Sequence, residues 1–358
     1  MKKPHIIILG CNFAGLTTAR YIHAVVKGKA NITIIDRKSL LTFVPNIPIQ
    51  VLANINPAID LQYKFMSFLE HDGSEFIQAE VTSIDLITNT VFYQPNERLG
   101  HPVRKINYDY LVIALGNRLA YDKIEGFDEF GHSVTDVFLG NRLRNYLRKD
   151  YKDGPIAITS DIFHQRKSDK LPKDMPIALT ACEGPPVEMA FSIAHWLEKN
   201  FKGDTSTVFL STPAEVIAED AGETILNQLV PMMGKMGYHY QANTNGIKKV
   251  SKDGIEFNDG TSQEAEIAIL FPDWEAHPFL KELPFTDDMG FVVTDMCMRN
   301  PDYQNIFAVG DAASITVPKI GSLGHMEAEV LANTIGKDLG IIKDDIKPME
   351  FELLCMGI

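Results

Sequence analysis

The sequence predicts an α/β protein with two parallel-sheet units in tandem, and three observations carry that prediction. Near the start, His5 to Leu9 is a short β-rich run that leads through a glycine turn into a helical pattern. Two further apolar runs end in small-residue turns, at residues 108–116 and 305–313. Between them, strand-like runs at 155–160 and 207–210 flank a segment with helical periodicity, repeating the strand–helix–strand order. The two units read as a diverged Rossmann-like pair.

Composition bounds the function. A chain of 358 residues, 45% hydrophobic and 23% charged, is an ordinary globular protein long enough for two cores. The net charge of −13, with no clustered Lys or Arg, disfavours nucleic acid as a partner. Cys11, Cys182, Cys297 and Cys355 show neither a C-x-x-C pair nor zinc-ligand spacing, so no disulfide scaffold or structural metal is indicated. Lys2 and Lys3 before Ile6–Leu9 imitate the start of a signal peptide, but the apolar run is too short and enters a glycine turn. No segment reaches the roughly 18 apolar residues of a spanning helix, which excludes a transmembrane anchor in this chain and leaves surface attachment open.

In the first unit the turn is Gly10-Cys11-Asn12-Phe13-Ala14-Gly15, followed by Leu16, Ala19, Ile22 and Val26 on one helix face. A second strand over Asn31–Ile35 ends in Asp36, roughly twenty residues past Gly15, where a carboxylate accepts hydrogen bonds from a ribose; Arg37 beside it is a further candidate cofactor contact. Gly10 suits the tight turn and Gly15 close helix–strand packing. The helix start offers N–H groups and a positive dipole end to a pyrophosphate. Asn12 stands where the fingerprint has its middle glycine, which weakens the motif, although Asn tolerates left-handed backbone better than most residues. Residues 75–108 suggest an antiparallel excursion in which the backbone of Val81 approaches an adenine. Phe43, Pro45 and Pro48 form an apolar loop.

The run ending in Ala114-Leu115-Gly116 and the run ending in Gly310-Asp311 resemble signatures of FAD-dependent oxidoreductases with two dinucleotide domains. That resemblance puts Gly310 and Asp311 on the ribityl and pyrophosphate part of FAD. Residues 290–295 read as another strand of the same domain.

The second unit lacks the features of a nicotinamide site. No glycine follows the strand at 155–160, a polar insertion runs through Pro176, and the strand at 207–210 ends in Ser211-Thr212-Pro213 without a ribose-binding carboxylate. Beyond the insertion, Ala181-Cys182-Glu183-Gly184-Pro185-Pro186 opens a helix with Val187, Ala190, Phe191, Ala194 and Leu197 on one face. Cys182 precedes the first turn, where the helix dipole favours thiolate. Glu183 reads either as a proton acceptor for that thiol or as a solvated first-turn carboxylate. Met232, Met233 and Met236 read as core on a further helix, and Cys11 and Cys297 as packed thiols.

Residues 182–188, the weak nicotinamide site, Gly310-Asp311 and Val317-Pro318-Lys319-Ile320-Gly321, with Cys355 downstream, resemble the sulfide:quinone oxidoreductase family over essentially the whole chain. The flavoprotein subunit of flavocytochrome c sulfide dehydrogenase is close, and type II NADH dehydrogenases are more distant. The resemblance implies a glutathione-reductase-like flavoprotein architecture. It further implies that Cys182 and Cys355 form a relay from sulfide to FAD that holds growing sulfane or polysulfide sulfur. Lys319 would lie near the pyrimidine end of the flavin, with Gly321 beside it and Pro45 lining the ring. Two unrelated buried cysteines, and a surface position for Lys319, are the readings of those residues in isolation. The third family cysteine is replaced by Thr135, and no thiol lies near 43–45, so noncovalent FAD is expected. Family members continue beyond the last cysteine. Quinone binding and peripheral membrane contact are therefore expected from a C-terminal region that this chain, ending at Ile358, does not contain.

The expected organisation is an FAD-binding domain from 1–118 and 286–345, a degenerate nicotinamide-type domain at 119–285, and the start of a C-terminal segment at 346–358. The expected partners are sulfide and a quinone, with a homo-oligomer possible and the cytoplasmic side of a membrane favoured by the lack of a signal peptide. The enzymatic alternative is an NAD(P)H-dependent flavin dehydrogenase. The other is a flavin-bearing electron-transfer subunit with a cytochrome partner.

Overall fold

The computed structural model describes residues 2–69, 73–96, 101–164, 172–173, 177–181, 183–200, 204–218 and 223–350. Cys182, Cys355 and most of the polar insertion lie outside them.

The first sheet is built around His5–Leu9, whose Ile6, Ile7, Ile8 and Leu9 are all fully buried. A continuous apolar run suits a parallel strand covered on both faces. Asn31–Asp36 pairs on one side and Tyr110–Ile113 on the other, both parallel. Glu75–Asp85 then adds parallel to Asn31–Asp36, and Thr90–Pro95 and Arg104–Asn107 continue antiparallel as the excursion read from the sequence. Ile306–Ala308 completes the seven strands on the far side of Tyr110–Ile113. A strand from near the end of the chain thus closes a sheet begun at its start. Helix Phe13–Val26 packs on this sheet through Leu16, Ala19, Ile22 and Val26, and against the last helix, Gly321–Asp338.

Residues 290–295 depart from expectation. Val292 makes isolated bridges to Thr286 and Ala313, and the stretch is extended chain with no named strand. Its β-rich composition is satisfied by burial of Phe291, Val292 and Val293, without a ladder to either side.

The second sheet is parallel throughout, in the order Gly131–His132, Ile267–Phe271, Ile156–Ser160, Val208–Ser211, His239–Gln241. Helix Gly184–Asn200 covers it through Val187, Met189, Ala190, Ile193, Ala194 and Leu197. On helix Glu223–Met236, Met233 is buried and Met236 half-buried, but Met232 is 47% exposed. Adjacent helix positions lie about 100° apart, so Met232 cannot share the inward face of its neighbour.

Two features join the sheets. Asn117–Leu119 and Trp274–Ala276, the two connections between them, pair antiparallel. Glu275, nearly buried, there receives Arg118 from the opposite strand and also pairs with Lys123. In addition, Ile47, Val51 and Leu61 leave the first unit to pack into the core of the second, so tightly that a Cβ on Gly140 would lie 2.6 Å from Ile47.

Candidate functional site

The site starts at the first glycine turn. Gly10 has φ +98°, and a Cβ there would lie 2.2 Å from the Ala114 carbonyl oxygen. A Cβ on Gly15 would lie 2.0 Å from the Gly10 oxygen. Both positions therefore need glycine for contact between turn, helix and neighbouring strand. Asn12 is exposed and extended (φ −81°, ψ −160°), not left-handed, so the missing middle glycine imposes no strain on this backbone. Its side chain makes no capping hydrogen bond. Asp36 accepts from the Cys11 N–H at 2.7 Å and from the Lys38 N–H at 2.7 Å, which ties the end of the second strand to the turn.

The opposite wall comes from the end of the chain. Gly310 (φ +64°) brings its turn so close that an added Cβ would meet the Ala14 Cβ at 2.6 Å, and one on Gly324 would meet it at 3.2 Å. The starts of helices Phe13–Val26 and Gly321–Asp338 therefore converge at Ala14. Neither carries a side-chain cap, because Asn12 and Ile320 make no such bond. Two uncapped helix starts present N–H donors and positive dipole ends to one region, as an anionic diphosphate requires. Cβ atoms on Gly116 (φ +69°) and Gly321 would meet nothing within 4 Å, so these glycines border open space. The residues present fit a dinucleotide, which Asp36 would meet at the ribose and Asn12, Phe13, Ala14, Gly310 and Asp311 would surround at the diphosphate.

The other candidate residues lie around this cleft or beyond it. The Phe13 ring contacts Phe43 at 5.9 Å between centroids. Pro45 is exposed in the turn that follows. Arg37 is exposed, 4.0 Å from Glu80. Val81 sits where the pairing of Glu75–Asp85 with Thr90–Pro95 shifts register, a bulge that leaves backbone groups out of the ladder. Thr135 hydrogen-bonds the Tyr121 hydroxyl.

Lys319 is buried, contrary to its reading in isolation. Its Nζ donates to the Ala313 and Thr316 carbonyls at 3.1 and 3.2 Å and lies 4.0 Å above the Phe291 ring. Burial lowers its pKa to about 8, opposed by the nearby carboxylates Asp311, Glu327 and Asp287. Burial also raises Asp311 and Asp287, with Lys319 pulling both back. Sequence reading missed Glu327 and Thr316. A signal existed, because Glu327 falls in the row Leu323, Glu327, Leu331, Ile335, where i,i+4 spacing places a carboxyl among apolar side chains.

In the second unit the chain leaves the strand Ile156–Ser160 and returns on itself. The Phe163 N–H donates to Leu179 at 2.8 Å and the Ala181 N–H to Asp161 at 3.0 Å. Thr180 Oγ1 lies 3.3 Å from Thr212 Oγ1, just past the end of the next strand. This returning limb, 177–181, thus crosses the carboxyl ends of the strands, where a second dinucleotide would sit in such a sheet. Ala181 and Glu183 are both buried. Ala181 shares a cluster with Phe163, Trp274, Phe291 and Val317, the last of these two residues from Lys319. Cys11 is a buried free thiol whose pKa burial pushes up, and Cys297 is only half-buried.

Comparison with known proteins agrees with this architecture. Residues 4–150 match the pyridine nucleotide-disulphide oxidoreductase family model. The chain is 24% identical to the sulfide-quinone reductase of Aquifex aeolicus, across 96% of this chain and 79% of that one. It is also 24% identical to the type II NADH:quinone oxidoreductase of Mycobacterium tuberculosis, across 94% and 73%. The crystal structure of the Aquifex aeolicus sulfide:quinone oxidoreductase superimposes with a TM-score of 0.78 at 22% identity, covering 94% of this chain and 77% of that one. Among the described residues, no helix is long and apolar enough to cross a membrane. The chain is therefore an oxidoreductase with the tandem dinucleotide-binding flavoprotein fold, and its resemblance is to the sulfide:quinone oxidoreductases.

Proposed function

We propose that the protein oxidises sulfide to sulfane or polysulfide sulfur through Cys182 and Cys355 and passes the electrons to a quinone. Bound FAD, held noncovalently, would supply the two-electron acceptor. The observation that carries this reading is the burial of Ala181 and Glu183, the described neighbours of Cys182, with Ala181 packed beside Val317 in the Lys319 loop. That packing supports the reading that the segment around Cys182 borders the cleft proposed for the flavin. In the proposed reaction, hydrosulfide attacks a Cys182–Cys355 bridge, leaving a persulfide on one sulfur and a thiolate on the other. Glu183 is a candidate proton acceptor there. Lys319 would stabilise negative charge at the pyrimidine end of the ring.

Resemblance to NADH dehydrogenases keeps an NAD(P)H-dependent reaction as the second reading. Against it stands the limb 177–181 across the crevice that a nicotinamide nucleotide would need. Anaerobic titration of the purified yellow protein separates the two. Sulfide is expected to bleach the flavin absorbance and NADH to leave it unchanged; the reverse result moves the protein to the NADH dehydrogenases.

Lys319→Met supplies a separate prediction. Loss of a buried cation from the flavin's surroundings should lower its two-electron midpoint potential by roughly 30–60 mV, equivalent to about 1.5–3 kcal/mol for a charged hydrogen bond. Spectroelectrochemical titration of both proteins checks this, and an unchanged potential would remove Lys319 from the ring.

A further inference from the structure

Glu327 is fully buried on helix Gly321–Asp338, and both of its oxygens are engaged. The Gly310 N–H donates to Oε2, and Oε1 lies 2.6 Å from Thr316 Oγ1. Thr316 Oγ1 is also 2.7 Å from the Gly310 carbonyl oxygen. A threonine hydroxyl has a single proton, and a carbonyl can only accept. If Glu327 were ionised, the hydroxyl would face two acceptors with one donor. The Gly310 carbonyl also accepts from the Ala313 N–H at 2.9 Å; with each proton given to a single acceptor, all three contacts become hydrogen bonds when Glu327 carries a proton on Oε1 and gives it to Thr316, which in turn donates to Gly310.

We infer that Glu327 is held as a neutral acid and closes a three-member hydrogen-bond ring with Thr316 and Gly310, making it a positioning residue for the Gly310–Asp311 turn. The functional part of this inference rests on the reading that this turn faces the flavin. The environment agrees with the proton count. Burial is the largest influence on Glu327 and pushes its pKa up to about 7; the contacts to Thr316 and Gly310 and the charge of Lys319 pull it down, and Asp311 acts with burial. The charged groups that act on it are Lys319 and Asp311, and Asp287 acts on Lys319. On the first helix the neutral Ala14 lies against Gly310 and Gly324, and His325 pairs with Thr17 on the more exposed side.

The test compares Glu327→Gln and Glu327→Ala with the parent, each as the full chain. A carboxamide can donate to Thr316 and accept from Gly310, so it reproduces the neutral acid. FAD added to the apoprotein and followed by fluorescence quenching should bind the Gln variant within about threefold of the parent and the Ala variant about tenfold or more weakly. Thermal midpoints give a readout that does not depend on the flavin. The folded pKa is raised from 4.5 to about 7, so the native state holds the extra proton in that window. Parent stability should therefore fall as pH rises through the window, and this slope should be missing in Glu327→Gln. If the slope vanishes while FAD affinity is unaffected in every variant, the ring stands and the flavin-facing turn does not. A Gln variant as damaged as the Ala variant, or one that keeps the parent's slope, overturns the ring. Should Glu327→Ala fail to fold, the comparison of parent with Gln decides alone.

Discussion

Replacing Cys355 with Ser is expected to cut sulfide-dependent bleaching of the flavin by at least about a thousandfold, the scale on which removal of a covalent nucleophile acts. The reason is chemical. A thiolate attacks sulfur and can be regenerated from a disulfide, whereas a serine hydroxyl is un-ionised near neutral pH and forms no bond of that kind. Cys182→Ser should behave alike, because a relay needs both sulfurs. FAD content should be unchanged in either variant, since neither residue belongs to the glycine turns proposed to hold the dinucleotide. Cys297→Ser is the matched control: its thiol is half-buried, and burial and Asp295 hold its pKa up, so sulfide turnover should survive. Stopped-flow reduction of the four proteins is the measurement. Full activity in Cys355→Ser would end the relay hypothesis.

Gly10→Ala should be the most damaging single methyl group in the first unit. A side chain at φ +98° costs about 1–3 kcal/mol, and overpacking against a strand backbone a further 1–3 kcal/mol or so. The clash is with the Ala114 carbonyl at 2.2 Å, an atom of a buried strand end that cannot swing aside as a flexible side chain would. A loss on the order of 4 kcal/mol in stability is expected, together with loss of bound FAD. Gly234→Ala provides the contrast. It lies exposed in helix Glu223–Met236, where an added Cβ meets nothing within 4 Å, and should gain about 0.5–1 kcal/mol from helix propensity alone. Chemical denaturation of the two variants reads both signs. Equal effects would mean that the close approach at Gly10 is not rigid.

The first unit was legible because its signals are local. Ile6–Leu9, Gly10, Gly15 and the 3.6-residue spacing of Leu16 to Val26 each dictate geometry within a few residues. Residues 290–295 misled because β-rich composition describes burial as well as pairing, and only Val292 finds partners, across two isolated bridges. Met232 misled because three methionines close in sequence still point in different directions around a helix. Lys319 lay beyond local pattern, and Glu327 showed only as one carboxyl in an apolar i,i+4 row. Their burial depends on the Asp287, Asp311 and Thr316 loops meeting the start of the last helix, and no window along the chain contains that meeting. Likewise, nothing near Ile47 and Val51 announces that they pack into the core of the other sheet.

The limb at 177–181 has a consequence for metabolism. Reduced nicotinamides are abundant reductants, and a flavin open to them would be short-circuited, drained and refilled without regard to sulfur. On the proposed function, the stretch of the protein's own backbone across the carboxyl ends of the second sheet would act as electrical insulation against such a donor. ADP-ribose, which competes for a nicotinamide berth where one is open, should then leave sulfide oxidation at its full rate.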